Sequence, residues 1–527
     1  MRRLRTRNGL LAFVLVAGLP LLTTAVVALA QPGETRKAKS AAAPAADAPA
    51  GQAAATKFDP IKTNGTFFDD WPKPELAIVI TGRQDGYIEP CGCAGLENQK
   101  GGLSRRDTFL AGLRERGWKL LPIDVGGLVH RFGKQAEIKF GISVEALKLM
   151  GYQAVGFGPD DLRLSAGDVA AAVAGQDGGD SLFVAANVDL FDATLGLTPK
   201  VKIIEAGGRK IGITAVMGDE YQKEVNNPEV VLQPAAESLK AVLPQLKDCN
   251  LRILLANATL DETKALALAF PQFQIVVTAD GGDEPPNHPI KIEGSKARLI
   301  ELGHKGMFAV VLGLYNDPKE RLRYQRVALD SRFESSPRMK QLMETYQSQL
   351  QQLGLPGLEV RAIAHPRGAG HDKKWGEFAG VKSCEKCHPT AYKIWKNSKH
   401  AHATEALVKA DPPRQFDPEC LSCHVTGWNP QEFFPYASGY VSLEATPDLA
   451  GNTCENCHGP AAAHVAAENG KDFTRREEQR NLVRLTKGQA EQNVCTKCHD
   501  LDNSPNFSKA GAFEKDYWPK VEHKGKK

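Results

Sequence analysis

Between residues 384 and 499 the chain repeats Cys-x-x-Cys-His four times: Cys384-Glu-Lys-Cys387-His388, Cys420-Leu-Ser-Cys423-His424, Cys454-Glu-Asn-Cys457-His458 and Cys495-Thr-Lys-Cys498-His499. Two thiols three residues apart on one turn reach the two vinyl groups of a haem as thioethers, and the adjacent His then ligates the iron from one face. The repeat predicts four covalently bound c-type haems with His388, His424, His458 and His499 as proximal ligands. Zinc sites and disulfides are the rival readings of paired cysteines. Zinc pairs carry no obligatory following His, and an exported chain keeps many thiols out of disulfides only if something consumes them. Of the 11 cysteines, these motifs use eight; Cys91 and Cys93 form a fifth pair, and Cys249 stands alone.

The second axial ligand is constrained by composition. All six methionines lie at or before Met343, so none falls among the motifs, and the His/Met ligation that raises cytochrome potentials is not available from this part of the chain. Low-potential ligation by two histidines is expected. The other histidines in or next to this part are His365, His371, His400, His402, His464 and His523. His400, after the helix-like stretch Thr390–Ser398, His464, shortly past His458, and His523, after Tyr517-Trp518, are the preferred distal ligands. If only these three serve, one iron keeps an open position for a small ligand or substrate. Four haems within residues 375–527 also leave too little polypeptide for an ordinary core, so the porphyrins must themselves form it, with short helices and loops around them.

The elements that carry these residues divide the 527-residue chain sharply. Residues 1–30 read as a signal peptide: a basic start, an apolar run from Gly9 to Ala30, and Ala28-Leu29-Ala30 before Gln31. That run is also long enough to stay as an anchor, although Pro20 would kink it. Residues 31–73 follow as an Ala/Pro-rich linker. From 74 to 333, β-branched runs alternate with amphipathic stretches. Strands are expected at Leu76–Thr81, Leu120–Val125, Ala154–Phe157, Leu182–Ala185, Ile211–Val216, Leu251–Leu255 and Ile275–Val277. Helices are expected at Leu103–Arg116, Ala136–Met150, Ala235–Leu246 and Glu262–Phe270. Such alternation predicts an α/β domain with its sites at the carboxyl ends of the strands. Ala297–Glu301, Phe308–Leu314 and Arg321–Ala328 have no helices between them and predict an antiparallel portion or a second sheet. A helix from Pro337 to Leu353 and a connector fill 334–374, ahead of a mainly helical haem domain at 375–527.

Composition, at 42% hydrophobic and 24% charged, is that of globular protein. The net charge of +4 falls to zero once Arg2, Arg3, Arg5 and Arg7 leave with the signal peptide, and about eight haem propionates would make the loaded protein acidic. Nucleic acid is therefore not an expected partner. The acidic runs Asp160-Asp161 and Asp280–Glu284 read as solvated loop charge.

Two families are resembled. The run from Cys384 through Tyr392, Trp395 and Ser398-Lys-His400-Ala, then Cys457-His458-Gly-Pro with His464, then His499-Asp500, Asn503–Phe507 and Tyr517-Trp518, looks like the tetrahaem cytochrome c554 family over residues 360–525. That resemblance implies an exported, mainly helical electron carrier with three haems held by two histidines each and one five-coordinate; which His serves which haem does not transfer, and His365 or His371 could fill the remaining position. Residues 74–330 resemble the calcineurin-like metallophosphatase domain of 5′-nucleotidases, on Ile80-Thr81-Gly-Arg-Gln-Asp85-Gly86, Gly101-Gly-Leu-Ser-Arg105-Arg106, Leu121-Pro-Ile-Asp124-Val-Gly126-Gly127 and Gly151-Tyr-Gln-Ala-Val-Gly156-Phe-Gly158. This implies two stacked mixed sheets flanked by helices. The metal ligands the family requires are nearly all missing: Arg83 and Asp85 replace its Asp-x-His pair, Gly127 its second loop Asp, Pro159-Asp160 its Asn-His, and Ala256-Asn257-Ala258 and Asp280-Gly281-Gly282 its later His loops. Only Asp124 persists, too little to hold two metal ions.

In place of metals the domain has Glu89-Pro90-Cys91-Gly92-Cys93 in the loop after its first strand. Two thiols one glycine apart can form a strained disulfide, bind a soft metal or relay electrons. The other reading makes them structural, one of them bonded to Cys249. The expectation overall is an exported multihaem cytochrome with redox proteins as electron donor and acceptor, touching a membrane only if its first segment is retained. The rivals are an oxidoreductase acting at an open iron or at Cys91/Cys93, a metal-dependent phosphoesterase, and a docking module.

Overall fold

The computed structural model describes residues 59–90, 99–174, 181–368, 374–501 and 503–524. The signal peptide, most of the linker, the Cys91-Gly-Cys93 pair and His371 lie outside the described residues. Among those described, no helix is long and apolar enough to cross a membrane.

Thirteen strands occur among the described residues: β1 (Leu76–Thr81), β2 (Leu120–Asp124), β3 (Ala154–Val155), β4 (Val188–Leu190), β5 (Lys202–Ala206), β6 (Arg209–Met217), β7 (Val230–Leu232), β8 (Leu251–Asn257), β9 (Ile275–Thr278), β10 (Ile290–Lys291), β11 (Arg298–Glu301), β12 (Phe308–Leu314) and β13 (Leu322–Ala328). β4 pairs with β7 in a small sheet of their own, and of the two larger sheets one has the order β13-β12-β1-β2-β3 and the other β10-β11-β9-β8-β6-β5. Both are mixed. β1, β2 and β3 run parallel while β12 and β13 are antiparallel; β6, β8, β9 and β11 run parallel, edged by antiparallel β5 and β10.

The alternation of side chains explains why the sheets stack. Leu76, Ile78 and Ile80 of β1 meet Ile253 and Leu255 of β8 and Ile275 and Val277 of β9 in one core between the sheets. The residues between them, Ala77 and Val79, face the helices Leu103–Glu115 and Lys134–Met150, and Leu254 and Val276 face helix Ala235–Val242 on the other side. Both faces of each central strand are thus buried, which is why these strands read as continuous apolar runs. The result is a helix–sheet–sheet–helix stack.

Some boundaries differ from the sequence expectation. Leu182–Ala185 forms a single parallel bridge, Val155 to Phe183, in place of a strand, because it borders β3, which is itself only two residues long. The three late strands divide between the sheets: β11 joins the second, and β12 and β13 the first. On the linker side of residue 74, Phe68 and Trp71 pack on Trp118, with Phe68 centred 5.1 Å from each indole, and so belong to the α/β core. Asp161 is a correction. It is fully buried and accepts hydrogen bonds from the N–H groups of Gly127, Leu128, Val129 and Gly158, so it organises the loop after β2 and is not solvated charge. Burial pushes its carboxyl up to about 7 in spite of those four donors.

Helix Pro337–Gly357 leaves the second half of the α/β region and lies back on it, burying Met339, Met343, Tyr346 and Leu350; its helical path breaks at Gly354, with φ 57°. Beyond residue 374 the chain is short helices and loops. Buried apolar residues there form one cluster of Leu407, Leu421, Val425, Trp428, Tyr440 and Leu449.

Candidate haem-ligating sites and the former metal site

Each of the four motifs sits on or beside a short helical turn: Lys382–Glu385 leads into the first, Pro418–His424 and Cys454–His458 contain the second and third, and Cys495–Lys497 begins the fourth. The turn puts both cysteines of a motif on one side with the His next to them. None of the eight cysteines forms a disulfide. Across motifs, the thiol of Cys384 lies against Cys454, and that of Cys423 against Cys498. The first motif is therefore neighbour to the third, and the second to the fourth.

Three motif histidines face a second histidine. The ring centres are 6.4 Å apart for His388 and His464, 6.1 Å for His499 and His400, and 6.0 Å for His458 and His523. A metal–imidazole bond of about 2 Å on each side, plus roughly 1.1 Å from ring nitrogen to ring centre, gives a separation of about 6.2 Å, so each pair fits an iron between two imidazoles. Burial lowers the basicity of His400, His458 and His464 and takes His499 down to about 4, keeping the rings in the neutral form that can ligate. His464 Nδ1 is buried without a hydrogen bond, with the Glu468 carboxylate 3.9 Å away.

The far nitrogens of three motif histidines are held by their surroundings. His424 Nδ1 is 2.7 Å from Ala403 O, His458 Nδ1 2.7 Å from Val483 O, and His499 Nδ1 3.0 Å from Ser504 Oγ, itself 3.2 Å from Tyr517 OH. Such contacts fix which nitrogen points at a metal. Among the described residues no imidazole ring faces that of His424. His365 packs edge-on against Tyr436 and Phe378, and His402 pairs with Glu405 at the surface, so neither is aimed at it.

Sequence reasoning missed the network that ties these motifs together. Glu455, inside the third motif, is buried and accepts from the N–H groups of Ala379, Gly380 and Ala461, pinning the start of the haem-motif region to that helix. Thr426 Oγ1 meets Gly451 O, Thr453 Oγ1 and Asn456 Oδ1, joining the second motif to the third. The only signal in the sequence was polarity beside a cysteine, which reads equally well as surface.

At the carboxyl ends of β1 and β2, where metals would be sought, the polar groups bind each other, with Arg106 Nε left buried without a partner. Asp124 is fully buried, accepts from Thr81 Oγ1 at 2.5 Å and Gly126 N at 2.9 Å, and faces the Arg106 guanidinium at 3.6 Å. Arg106, also fully buried, reaches Thr81 Oγ1 and Gln84 as well. Burial pushes the Asp124 carboxyl above its ordinary range in spite of the Arg106 guanidinium. Separating such a pair costs on the order of 3–5 kcal/mol, so the guanidinium holds the one carboxylate the metallophosphatase pattern retains. Asp85 accepts from Lys305 N, Asp160 pairs with His130 and Arg163, and Asp280 accepts from Leu260 N. Among the described residues no group of three His, Cys, Asp or Glu side chains could hold a metal ion. The donor set does not fit a two-metal centre. Cys249 is buried in the outer layer of the second sheet beside Leu246.

The two parts of the chain meet through charged and polar contacts that the sequence did not announce. Arg414 pairs with Glu89, Lys139 Nζ is 2.6 Å from Glu419 Oε2, Gln135 Nε2 donates to Asp417 Oδ1 at 2.8 Å, and the Arg131 guanidinium lies 3.7 Å from the centre of the Phe433 ring.

Residues 383–459 match the family model described as Cytochrome c554 and c-prime. Cytochrome c-554 of Nitrosomonas europaea is 35% identical over 96 residues, which is 16% of this chain and 38% of that protein. The chain thus spans less than two fifths of the curated relative it matches. Among solved structures, a 5′-nucleotidase precursor from Thermus thermophilus is similar with TM-score 0.44 and 19% identity, covering 55% of this chain and 60% of that one. The sulfate thiohydrolase SoxB, also of Thermus thermophilus, is similar with TM-score 0.44 and 12% identity over 54% of this chain and 62% of its own. The molecule joins an N-terminal α/β region of two stacked sheets to a helical C-terminal region that is similar to cytochrome c554 over residues 383–459.

Proposed function

We propose that this protein is an exported multihaem c-type cytochrome that transfers electrons between other redox proteins, with a catalytically degenerate α/β region that bears Cys91 and Cys93 as a redox or metal site. Three facing histidine pairs, and one motif His with no facing imidazole among the described residues, carry the reading. Haem c would be held at Cys384/Cys387, Cys420/Cys423, Cys454/Cys457 and Cys495/Cys498. His388 and His464, His458 and His523, and His499 and His400 would supply two axial nitrogens each, and His424 one. When bound, haem supplies one-electron exchange. The chain's own part is to fix ring orientation through Ala403 O, Val483 O and Ser504, and to bring the first motif against the third and the second against the fourth.

Oxidoreductase action at the iron of His424 or at Cys91/Cys93 is the second reading, and one contact favours it. Glu89, just before Pro90 and Cys91, is bound to Arg414, a few residues ahead of Cys420. On this reading the thiol pair would exchange electrons with the second motif's haem. Metal-dependent phosphoester hydrolysis is disfavoured by the Arg106–Asp124 pair. Export rests on the sequence of residues 1–30.

Haem content decides the main reading. The mature protein is expected to carry four haems per chain by pyridine haemochrome assay, all surviving denaturation and acid-acetone extraction because they are thioether-bound. A content of three or fewer, or extractable haem, would contradict it.

A further inference from the structure

Several of the contacts between the α/β region and the haem-motif region meet at one helix. Asp417 caps helix Pro418–His424 by accepting Glu419 N at 3.0 Å. The same carboxylate, only 5% exposed, accepts from Gln135 Nε2 at 2.8 Å, Gln347 Nε2 at 3.2 Å and Tyr346 OH at 3.3 Å, all from the α/β side. One residue into the helix, Glu419 takes Lys139 Nζ at 2.6 Å, a lysine only 8% exposed on helix Lys134–Met150. Glu419 directly precedes Cys420. The helix so gripped is the one whose His424 faces no second imidazole among the described residues, and an iron held from one side depends on its surroundings for position more than one held from both.

We infer that the α/β region is the positioning element for the haem at Cys420, Cys423 and His424, acting through a polar clamp of Gln135 and Lys139 on Asp417 and Glu419. The inference rests on the reading that this haem is the open one. Lys139 orients Glu419 and neutralises a carboxylate one residue from the thioether, in a partly buried place where charge is poorly screened. Removing the ammonium leaves that carboxylate unpaired, which favours the ferric state. The haem's potential then falls.

The test uses the full-length holoprotein, with midpoints followed by spectroelectrochemistry and spin states by electron paramagnetic resonance. Lys139→Met is expected to lower the midpoint of the high-spin haem and alter its signal near g 6, leaving the low-spin haems as they were. Lys139→Met combined with Glu419→Gln is expected to return that midpoint towards the parent value, which a merely structural role of Lys139 would not produce. An unchanged high-spin haem in Lys139→Met, or a shift spread over all four haems, would overturn the clamp. A parent protein without any high-spin haem would overturn the open-haem reading itself, and the two failures are told apart by the parent spectrum.

Discussion

Replacing His464 by alanine is expected to convert one low-spin haem to high spin, doubling the high-spin signal of the oxidised protein and raising the potential of the haem at Cys384/Cys387. The His388 and His464 rings stand 6.4 Å apart and nearly parallel, at 24°, the spacing of two imidazoles on one iron. Taking one away leaves His388 as sole axial donor, and the weaker ligand field favours both high spin and the ferrous state. The same change is expected for His400→Ala at the haem of His499, and for His523→Ala at the haem of His458. His402→Ala is the control, since that ring is paired with Glu405 at the surface. Low-spin signals that survive His464→Ala unaltered would break the pairing.

Withholding haem is expected to unfold one part of the chain and spare the other. Residues 59–357 contain three buried clusters drawn from both sheets and their helices, whereas the region beyond 374 has the single small cluster around Leu421 and Trp428. Ordering a residue costs roughly 1–2 kcal/mol of backbone entropy, and a cluster of that size cannot offset it over so long a segment. Porphyrin surface must supply the remainder. Protein made where haem is not attached is therefore expected to lose residues 375–527 to mild proteolysis while a fragment ending near Gly357 survives. Helix Pro337–Gly357 is expected to stay with the surviving fragment, because Met339, Met343 and Tyr346 are buried in the α/β core. Equal resistance of both parts, with or without haem, would refute a haem-built core.

How much of this was legible in the sequence depended on how local the cause was. The Cys-x-x-Cys-His motifs state their chemistry within five residues, and the strands buried on both faces, such as Leu76–Thr81 and Phe308–Leu314, show as unbroken apolar runs. Leu182–Ala185 has the composition of such a strand, yet makes only one bridge, since pairing depends on what its neighbour offers. His400, His464 and His523 were singled out by context alone. Their partners, His499, His388 and His458, are far away in the chain, and nothing in the spacing orders them. Least visible were Gln135, Lys139, Asp417 and Glu419. Each reads as ordinary surface polarity until the two regions come together, and Asp161 misled in the same way: a carboxylate held by four backbone N–H groups leaves no pattern in a sequence. Arg106 shows the converse, a basic residue in a recognisable stretch whose role against Asp124 emerges only with burial.

Ligation of four haems by seven histidines is read out by quantitative electron paramagnetic resonance of the fully oxidised holoprotein. Three low-spin ferric haems and one high-spin haem per chain are expected, with the high-spin signal absent from a Cys420→Ser, Cys423→Ser protein that carries the other three. Four low-spin haems, or a high-spin signal that persists when the second motif is removed, would contradict it.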